Sequence, residues 1–386
     1  MTFDEFFEKA TGYPPYGYQR RLAANGLPAA LQAPTGTGKT AATVLAWLWR
    51  RLYGPEPQLT PRRLVFALPQ RTLVEQAARE VQSWLSRLGL DQVIALHVVM
   101  GGEGRSQGEW RMRMDQPAIV VGTVDSLVSK ILNRGYGISR AIYPIDFALV
   151  TNGAQWVLDE VQLCPESTKT LRQVAAWADP ARDGSWPTAE PFRLTCMSAT
   201  IPPTILTTVD NPPPTDVVRI EQADRVDELA VRLGAARTIR QLPVTTADAS
   251  TFASKVQELH RPGSLTLVVV NQVRTAQQLY GRLHKGSVPC TLLHSRFRAA
   301  DREALVGRVL APPGAEGHIV VSTQVVEAGI DLNAAVLLTE AAPWPSLVQR
   351  AGRCNRTGRV ADAELWWCRP AKADPYESAE IDATAA

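Results

Sequence analysis

The sequence is poor in cysteine and in paired metal ligands. Cys164, Cys196, Cys290, Cys354 and Cys368 are scattered and form no CxxC pair, which argues against a zinc site and against a disulfide framework. It lacks a basic leader followed by an apolar segment, since it opens "MTFDEFFEKA", and no apolar run approaches the ~20 residues that cross a bilayer. A protein without a membrane partner, in the reducing cytoplasm, is the expectation. Low-complexity tracts and internal repeats are also missing, so neither disorder nor a solenoid is indicated. An excess of one charge sign is lacking as well. Lys plus Arg number 41 against 38 Asp plus Glu, a net charge of +3, much weaker than the polybasic signature of a tight electrostatic binder of nucleic acid.

What is present is a chain of 386 residues, 45% hydrophobic and 20% charged, a length that suggests about two domains, each with its own core. Short apolar runs alternate with amphipathic stretches: "RRLVFALP", "TLVEQAAREVQSWLSRLG", "PAIVVGT", "AQWVLDE". That is the pattern of buried parallel strands joined by crossover helices. It restarts with "SLTLVVV", "TAQQLYGRLH", "CTLLH", "REALVGRVL", "HIVVST", "AAVLLTE" and "AELWWC". Two α/β units are expected. Between them the prolines of "IPPTILTTVDNPPPTDVV" break both helix and ladder, which puts a boundary near Pro212 and gives domains 1–212 and 213–386. The segment from Asp224 to Val244 is expected to be a helix and strand that connect the units and pack on the second.

The first chemistry lies in "APTGTGKT", Ala33 to Thr40. The full P-loop pattern has glycine where Ala33 stands. The physical requirements remain: Gly36 and Gly38 let backbone N–H groups converge on phosphate oxygens, and a following helix N-terminus adds its dipole. Thr35, Gly36, Thr37, Gly38, Lys39 and Thr40 are thus candidate ATP contacts, with Lys39 on the β- and γ-phosphates and the Thr40 hydroxyl on magnesium. A turn that merely starts a helix is the plainer reading. Gln19, in "YGYQRR", stands where a side-chain amide could bond both edges of adenine; a surface glutamine is the alternative.

"WVLDEVQ" ends an apolar strand with Asp159 and Glu160 at the carboxyl edge, where open α/β sheets hold their ligands. Asp159 is suited to the magnesium shell and Glu160 to the attacking water; a solvated turn would also place two carboxylates there. "MSAT" follows the apolar "FRLT" and offers Ser198 and Thr200 between the phosphate site and the next domain. Late in the chain, "LVQRAGRCNR" spaces Arg350, Arg353 and Arg356 three residues apart. On a helix these would crowd onto one stripe, either as a solvated basic face or around an anion.

The set "APTGTGKT", "LDEVQ", "MSAT", "VSTQVVEAGID" and "LVQRAGRCNR" resembles, in order and spacing, the superfamily 2 helicases, whose motor is two tandem RecA-like P-loop domains of α/β fold. "LLHSRF", "TQVVEAGIDL" and "QRAGRCNR" make it similar to the helicase part of the CRISPR-associated type I interference helicase-nuclease, the Cas-three family. The resemblance spans nearly the whole chain. It implies ATP and Mg2+ in a cleft between the domains, with Arg350 and Arg353 projecting onto the γ-phosphate and Gln349 near the attacking water. Gly329 and Asp331 would contact ribose or phosphates, and Arg356 would pair with a carboxylate. On the opposite face it implies a single DNA strand held by Pro69, Gln70, Arg71, Gly122, Thr123, His294, Ser295, Arg296 and Thr323, through phosphate contacts that read no base. A packed, structural His294 is the alternative.

Two departures follow. Many family members carry histidine where Gln162 stands, a form similar to the subtype I-G branch, so hydrolysis and strand movement would be coupled through a different hydrogen bond, with Ser198 and Thr200. The family's HD nuclease needs an adjacent His-Asp pair. His97, His260, His284, His294 and His318 are dispersed and none precedes aspartate. Either the HD nuclease acts in trans or this chain is the helicase piece of a longer one. The expected function is an ATP-dependent single-stranded DNA translocase, moving 3′ to 5′, that serves a Cascade-type CRISPR effector complex. An RNA or repair helicase of the same superfamily, or a non-hydrolysing scaffold that recruits a nuclease, are the alternatives.

Overall fold

The structure, a computed structural model, describes residues 1–101, 110–135, 138–327 and 329–385. The chain divides into two compact units, Met1–Arg225 and Val226–Ala386. The first holds seven strands: β1 (Ala30–Gln32), β2 (Arg63–Leu68), β3 (Ala95–Val99), β4 (Ala118–Thr123), β5 (Ala154–Asp159), β6 (Phe192–Ser198) and β7 (Val217–Arg219). Their order in the sheet is β3-β4-β2-β5-β6-β1-β7, and every pairing is parallel. The second unit holds β8 (Thr238–Gln241), β9 (Leu265–Val269), β10 (Cys290–Leu293), β11 (His318–Ser322), β12 (Val336–Glu340) and β13 (Glu364–Cys368), in the order β10-β11-β9-β12-β13-β8, again all parallel. This is the pair of α/β units that the alternating pattern calls for.

The continuous apolar runs are explained by burial on both faces. Along β2, Leu64, Phe66 and Leu68 join one core cluster, and Val65 and Ala67 join the cluster on the other face. In the second unit Leu265, Leu267 and Val269 serve one face and Val268 the other. Each such side chain contributes about 1.5–3 kcal/mol by leaving water, so a strand of this type is fixed by its packing and needs no alternation of polar residues.

The division between units differs from the expected boundary at Pro212. Past the prolines the chain returns to the first sheet: Val217, Val218 and Arg219 pair with Ala30, Leu31 and Gln32. Asp224 then binds Arg21 through two hydrogen bonds of 2.8 Å. The prolines interrupt the ladder without ending the unit. The next segment behaves as expected of Asp224–Val244: the helix Asp227–Leu233 leads to β8, which pairs with β13.

Candidate functional site

Because all strands of the first sheet run the same way, their carboxyl ends share one edge. Along it stand, in sheet order, Thr123 after β4, Pro69–Arg71 after β2, Asp159 and Glu160 after β5, Ser198 and Thr200 after β6, and the glycine-rich loop after β1. The expected nucleotide and nucleic-acid residues of this unit therefore occupy neighbouring stretches of a single edge of the sheet.

The loop closes through its glycines. Gly36 and Gly38 have φ of 80° and 79°, left-handed values that a side chain disfavours, and Gly38 caps the helix Lys39–Leu52. A Cβ on Gly38 would also lie 3.0 Å from Gln19 Nε2. The Lys39 ammonium, buried, donates to the carbonyls of Ala33 at 3.0 Å and Pro34 at 3.4 Å. Thr37 donates its hydroxyl to Pro34 O at 2.8 Å, while Thr35 and Thr40 are half-buried on the same turn. Gln19, 2% exposed, is no surface residue. Its Oε1 accepts from Tyr16 N at 2.8 Å and its Nε2 donates to Gly38 O at 3.3 Å. The neighbouring Tyr18 hydroxyl donates to Thr37 O at 2.7 Å, so this helix holds the loop from outside.

Asp159 Oδ1 accepts from Glu160 N at 2.8 Å. Burial pushes the Asp159 carboxyl up to about 7, the Glu160 charge adds to the effect, and Lys39 opposes it. A carboxylate so desolvated is the kind of donor a hard divalent cation would satisfy. With the Thr40 hydroxyl it gives two protein oxygens, which suits magnesium, an ion that keeps waters and takes phosphate oxygens. Among the described residues no group of three or more His, Cys, Asp or Glu forms an all-protein metal cage.

Glu160 has φ 51° and ψ 50°, a left-handed backbone for a residue with a side chain, of the sort that costs about 1 kcal/mol or more and gathers at functional sites. Its carboxylate accepts from Gln162 Nε2 at 2.7 Å. Gln162 Oε1 accepts from the Ser198 hydroxyl at 2.5 Å, and Ser198 Oγ accepts from Thr200 N at 3.1 Å. The three residues expected to couple hydrolysis to movement are thus joined to Glu160 in one chain of hydrogen bonds.

Of the candidate strand contacts in this unit, Arg71 is exposed, and Pro69 and Gln70 are half-buried at the start of the helix Arg71–Leu88. The register Leu68↔Thr123 sets them beside Gly122 and Thr123. The Thr123 hydroxyl donates to Ser126 Oγ at 2.9 Å, and a Cβ on Gly122 would approach Val99 O to 2.5 Å, so glycine there permits the β3–β4 pairing.

In the second unit, His294, Ser295 and Arg296 follow β10, and Thr323 follows its neighbour β11, with Leu293 in register with Ser322. Ser295 and Arg296 are exposed. His294 is packed: its ring stacks on Phe297 at 4.3 Å and Nδ1 accepts from Arg296 N at 3.3 Å. Burial, ahead of the Arg296 charge, pushes its imidazole below the usual histidine value. A neutral, stacked histidine that shapes the turn fits these facts better than a cationic phosphate contact.

The arginine triplet differs from its sequence reading. The helix is Trp344–Ala351, capped by Gly352, so Arg353 and Arg356 lie beyond it and no stripe of three charges forms. Arg350 points inward and is 0% exposed. Its guanidinium donates to Glu327 Oε1 at 2.8 Å, Thr339 Oγ1 and Glu340 O at 2.9 Å, and Asn271 Oδ1 at 3.0 Å. That is a structural arginine. Arg353 donates to Val326 O at 2.9 Å and Glu327 O at 2.7 Å, which leaves its Nη1 facing Asp331 at 3.5 Å. Arg356 Nη2 meets the same Asp331 oxygen at 2.6 Å, and its Nη1 is buried with no hydrogen-bond partner. Asp331, half exposed, follows Gly329 at φ 80°. Gln349 is buried on the helix. Two arginines converging on one carboxylate form a place where an anion would be held. Residues that the sequence did not single out complete this unit: Glu327 lies inside the quoted "TQVVEAGIDL" without having been assigned a role, and Asn271 and Glu340 are buried polar groups with no motif to mark them.

The DEAD/DEAH box helicase family model matches residues 18–208, and the model for the C-terminal part of the CRISPR-associated nuclease/helicase Cas3 matches residues 262–359. The CRISPR-associated helicase Cas3 of Thermoproteus tenax is 27% identical over 354 residues, covering 87% of this chain and 55% of that protein. Among solved structures, T. fusca Cas3 with ATP has a TM-score of 0.66 at 19% identity and covers 98% of this chain and 49% of that one. Mss116p bound to ssRNA and AMP-PNP has a TM-score of 0.66 at 18% identity, covering 99% of this chain and 76% of that one. These structures share the fold. The chain spans about half the length of the Cas3 proteins it matches.

Proposed function

This chain belongs to the superfamily 2 helicases of Cas3 type, and from that premise we propose that it is an ATP-driven motor that moves 3′ to 5′ along single-stranded DNA. Its system would be CRISPR interference, with a Cascade-type effector complex recruiting it and an HD nuclease supplied by another domain or protein. The observation that carries the reading is the convergence of the glycine-rich loop, Asp159 and the Glu160–Gln162–Ser198 hydrogen bonds on the adjacent carboxyl ends of β1, β5 and β6.

In this reading the amides of the loop at Gly36 and Gly38 and the N-terminus of the following helix take the phosphates, Lys39 turns from its two carbonyls to the β- and γ-oxygens, and Gln19 reads adenine. Magnesium held by Thr40 and Asp159 would neutralise developing phosphate charge. Glu160 orients and deprotonates the attacking water. The second unit contributes Arg353 and Arg356 in place of Asp331's hold on them, with Gln349, Gly329 and Asp331 alongside. Arginines of this kind are worth roughly three to five orders of magnitude in rate. Thr123, Gly122, Pro69–Arg71, Ser295, Arg296 and Thr323 grip the strand through hydroxyls, backbone amides and two guanidiniums.

An RNA motor is the second reading, because those groups contact phosphates and do not sense a 2′-hydroxyl. ATP turnover measured side by side with single-stranded DNA and RNA separates the two. Stimulation by DNA is expected; stimulation by RNA alone rejects the CRISPR reading.

A further inference from the structure

Asn271, two residues past β9, is 4% exposed, and all four of its polar groups are engaged. Its N–H donates to Glu340 Oε2 at 2.5 Å and its Nδ2 to Ala341 O at 2.9 Å. Its carbonyl accepts from Gln324 Nε2 at 2.8 Å, and its Oδ1 accepts from Arg350 Nη2 at 3.0 Å. These partners come from separate strand ends. Gln324 follows Thr323 at the end of β11, Glu340 and Ala341 close β12, and Arg350 sits on the helix that leads to Arg353.

The bonds have fixed directions, which apolar packing does not. A leucine of similar volume could fill the space and keep the main-chain bonds to Gln324 and Glu340, but it would lose the side-chain bonds that tie the end of β12 to the arginine helix. The asparagine amide offers a donor to Ala341 O and an acceptor to Arg350 Nη2 on one planar group, so it fixes the arginine helix against the same residue whose carbonyl holds Gln324. Gln324 is the next residue to the candidate strand contact Thr323. Arg350, on the other side, is locked to Glu327, whose carbonyl holds Arg353 Nη2. A continuous path of hydrogen bonds therefore runs from Gln324 through Asn271, Arg350 and Glu327 to Arg353.

We propose that Asn271 is a positioning residue that transmits strand binding at Thr323 to the placement of Arg353, so that stimulation of ATP hydrolysis by a single strand passes through it. This rests on the motor reading above. Asn271 touches neither nucleotide nor strand; it acts through Arg350 and Gln324. Coupling free energies between two sites typically correspond to factors of roughly 5 to 150 in binding, and a change of that order in the strand's effect on turnover sets the scale expected here.

The test is steady-state ATP turnover by the 386-residue chain, with and without an oligothymidine strand, for the parent, Asn271→Leu and Gln324→Met, with thermal unfolding measured alongside. The ratio of stimulated to basal kcat is expected to fall by about tenfold in both variants, with the KM for ATP changed by less than about threefold. A loss of stability alone, with the ratio kept at the parent value in a folded variant, overturns the proposal. If Asn271→Leu does not fold, Gln324→Met decides by the same ratio, because methionine keeps the side-chain length and removes only the bond to the Asn271 carbonyl. A parent that the strand does not stimulate overturns the motor reading and this inference together; a stimulated parent with equally stimulated variants overturns the inference only.

Discussion

The side-chain amide of Gln162 donates to the carboxylate of Glu160 at 2.7 Å. Its other end accepts from Ser198 at 2.5 Å, so the group suited to orient water is tied to the strand end that leads out of the phosphate site. A histidine at this position could make one donor and one acceptor bond through its two ring nitrogens. Glutamine does the same with a planar amide and has no titration near neutral pH.

Replacing Gln162 should therefore separate turnover from movement. Gln162→Ala is expected to lower strand displacement by about tenfold or more while nucleotide affinity stays within about threefold, a coupling loss of the usual allosteric size. Gln162→His is expected to retain most of the displacement. A fluorescent strand-separation assay beside nucleotide titration checks both. Unwinding by Gln162→Ala at the parent rate would show that the hydrogen-bonded chain from Glu160 to Thr200 is only structural.

Lys39 tests the phosphate site. Its ammonium is hydrogen-bonded to two neutral carbonyls and acts on the Asp159 carboxyl only through its charge, so its removal breaks no hydrogen-bonded ion pair. Lys39→Ala is expected to keep the melting temperature within a few degrees and to lower ATP turnover by at least about a hundredfold, the scale of one lost charge-stabilising donor. Phosphate release and thermal unfolding measure the two effects.

Arg350 is expected to report on stability before activity. It is wholly buried and paired with the Glu327 carboxylate at 2.8 Å. Breaking such a pair from one side typically costs about 3–5 kcal/mol. Arg350→Ala should lower the unfolding free energy of the second unit by that order in a denaturant titration. A variant with parental stability and lost hydrolysis would instead return Arg350 to the catalytic group.

Much of the architecture was legible because the buried parallel strands leave near-continuous apolar runs: "LVFAL", "AIVVG" and "LTLVV" each mark a strand that both core faces cover. The strands β1 and β7, three residues each, are too short to show a period. The pairing of β7 with β1 joins segments nearly 190 residues apart, and no local signal predicts it, so prolines that interrupt the ladder read as a boundary. The local placement of the candidate residues in the first unit was legible for a related reason: glycines with positive φ and carboxylates at a strand end are local features. The arginine triplet misled because spacing alone implies a stripe, whereas Gly352 ends the helix after Ala351; a glycine at that place is the C-cap signal that the spacing argument passed over. Asn271 in "VVVNQVR" carries no pattern at all, and only the fold shows its four partners.

The most direct test of a nucleotide served by both units is single-turnover ATP hydrolysis by Arg353→Ala with a single strand present. Nucleotide binding within about threefold of the parent is expected, with the hydrolysis rate lower by roughly three orders of magnitude or more at a temperature where the variant remains folded. Hydrolysis at the parental rate by a folded Arg353→Ala protein would contradict the proposal that the second unit completes the site on the first.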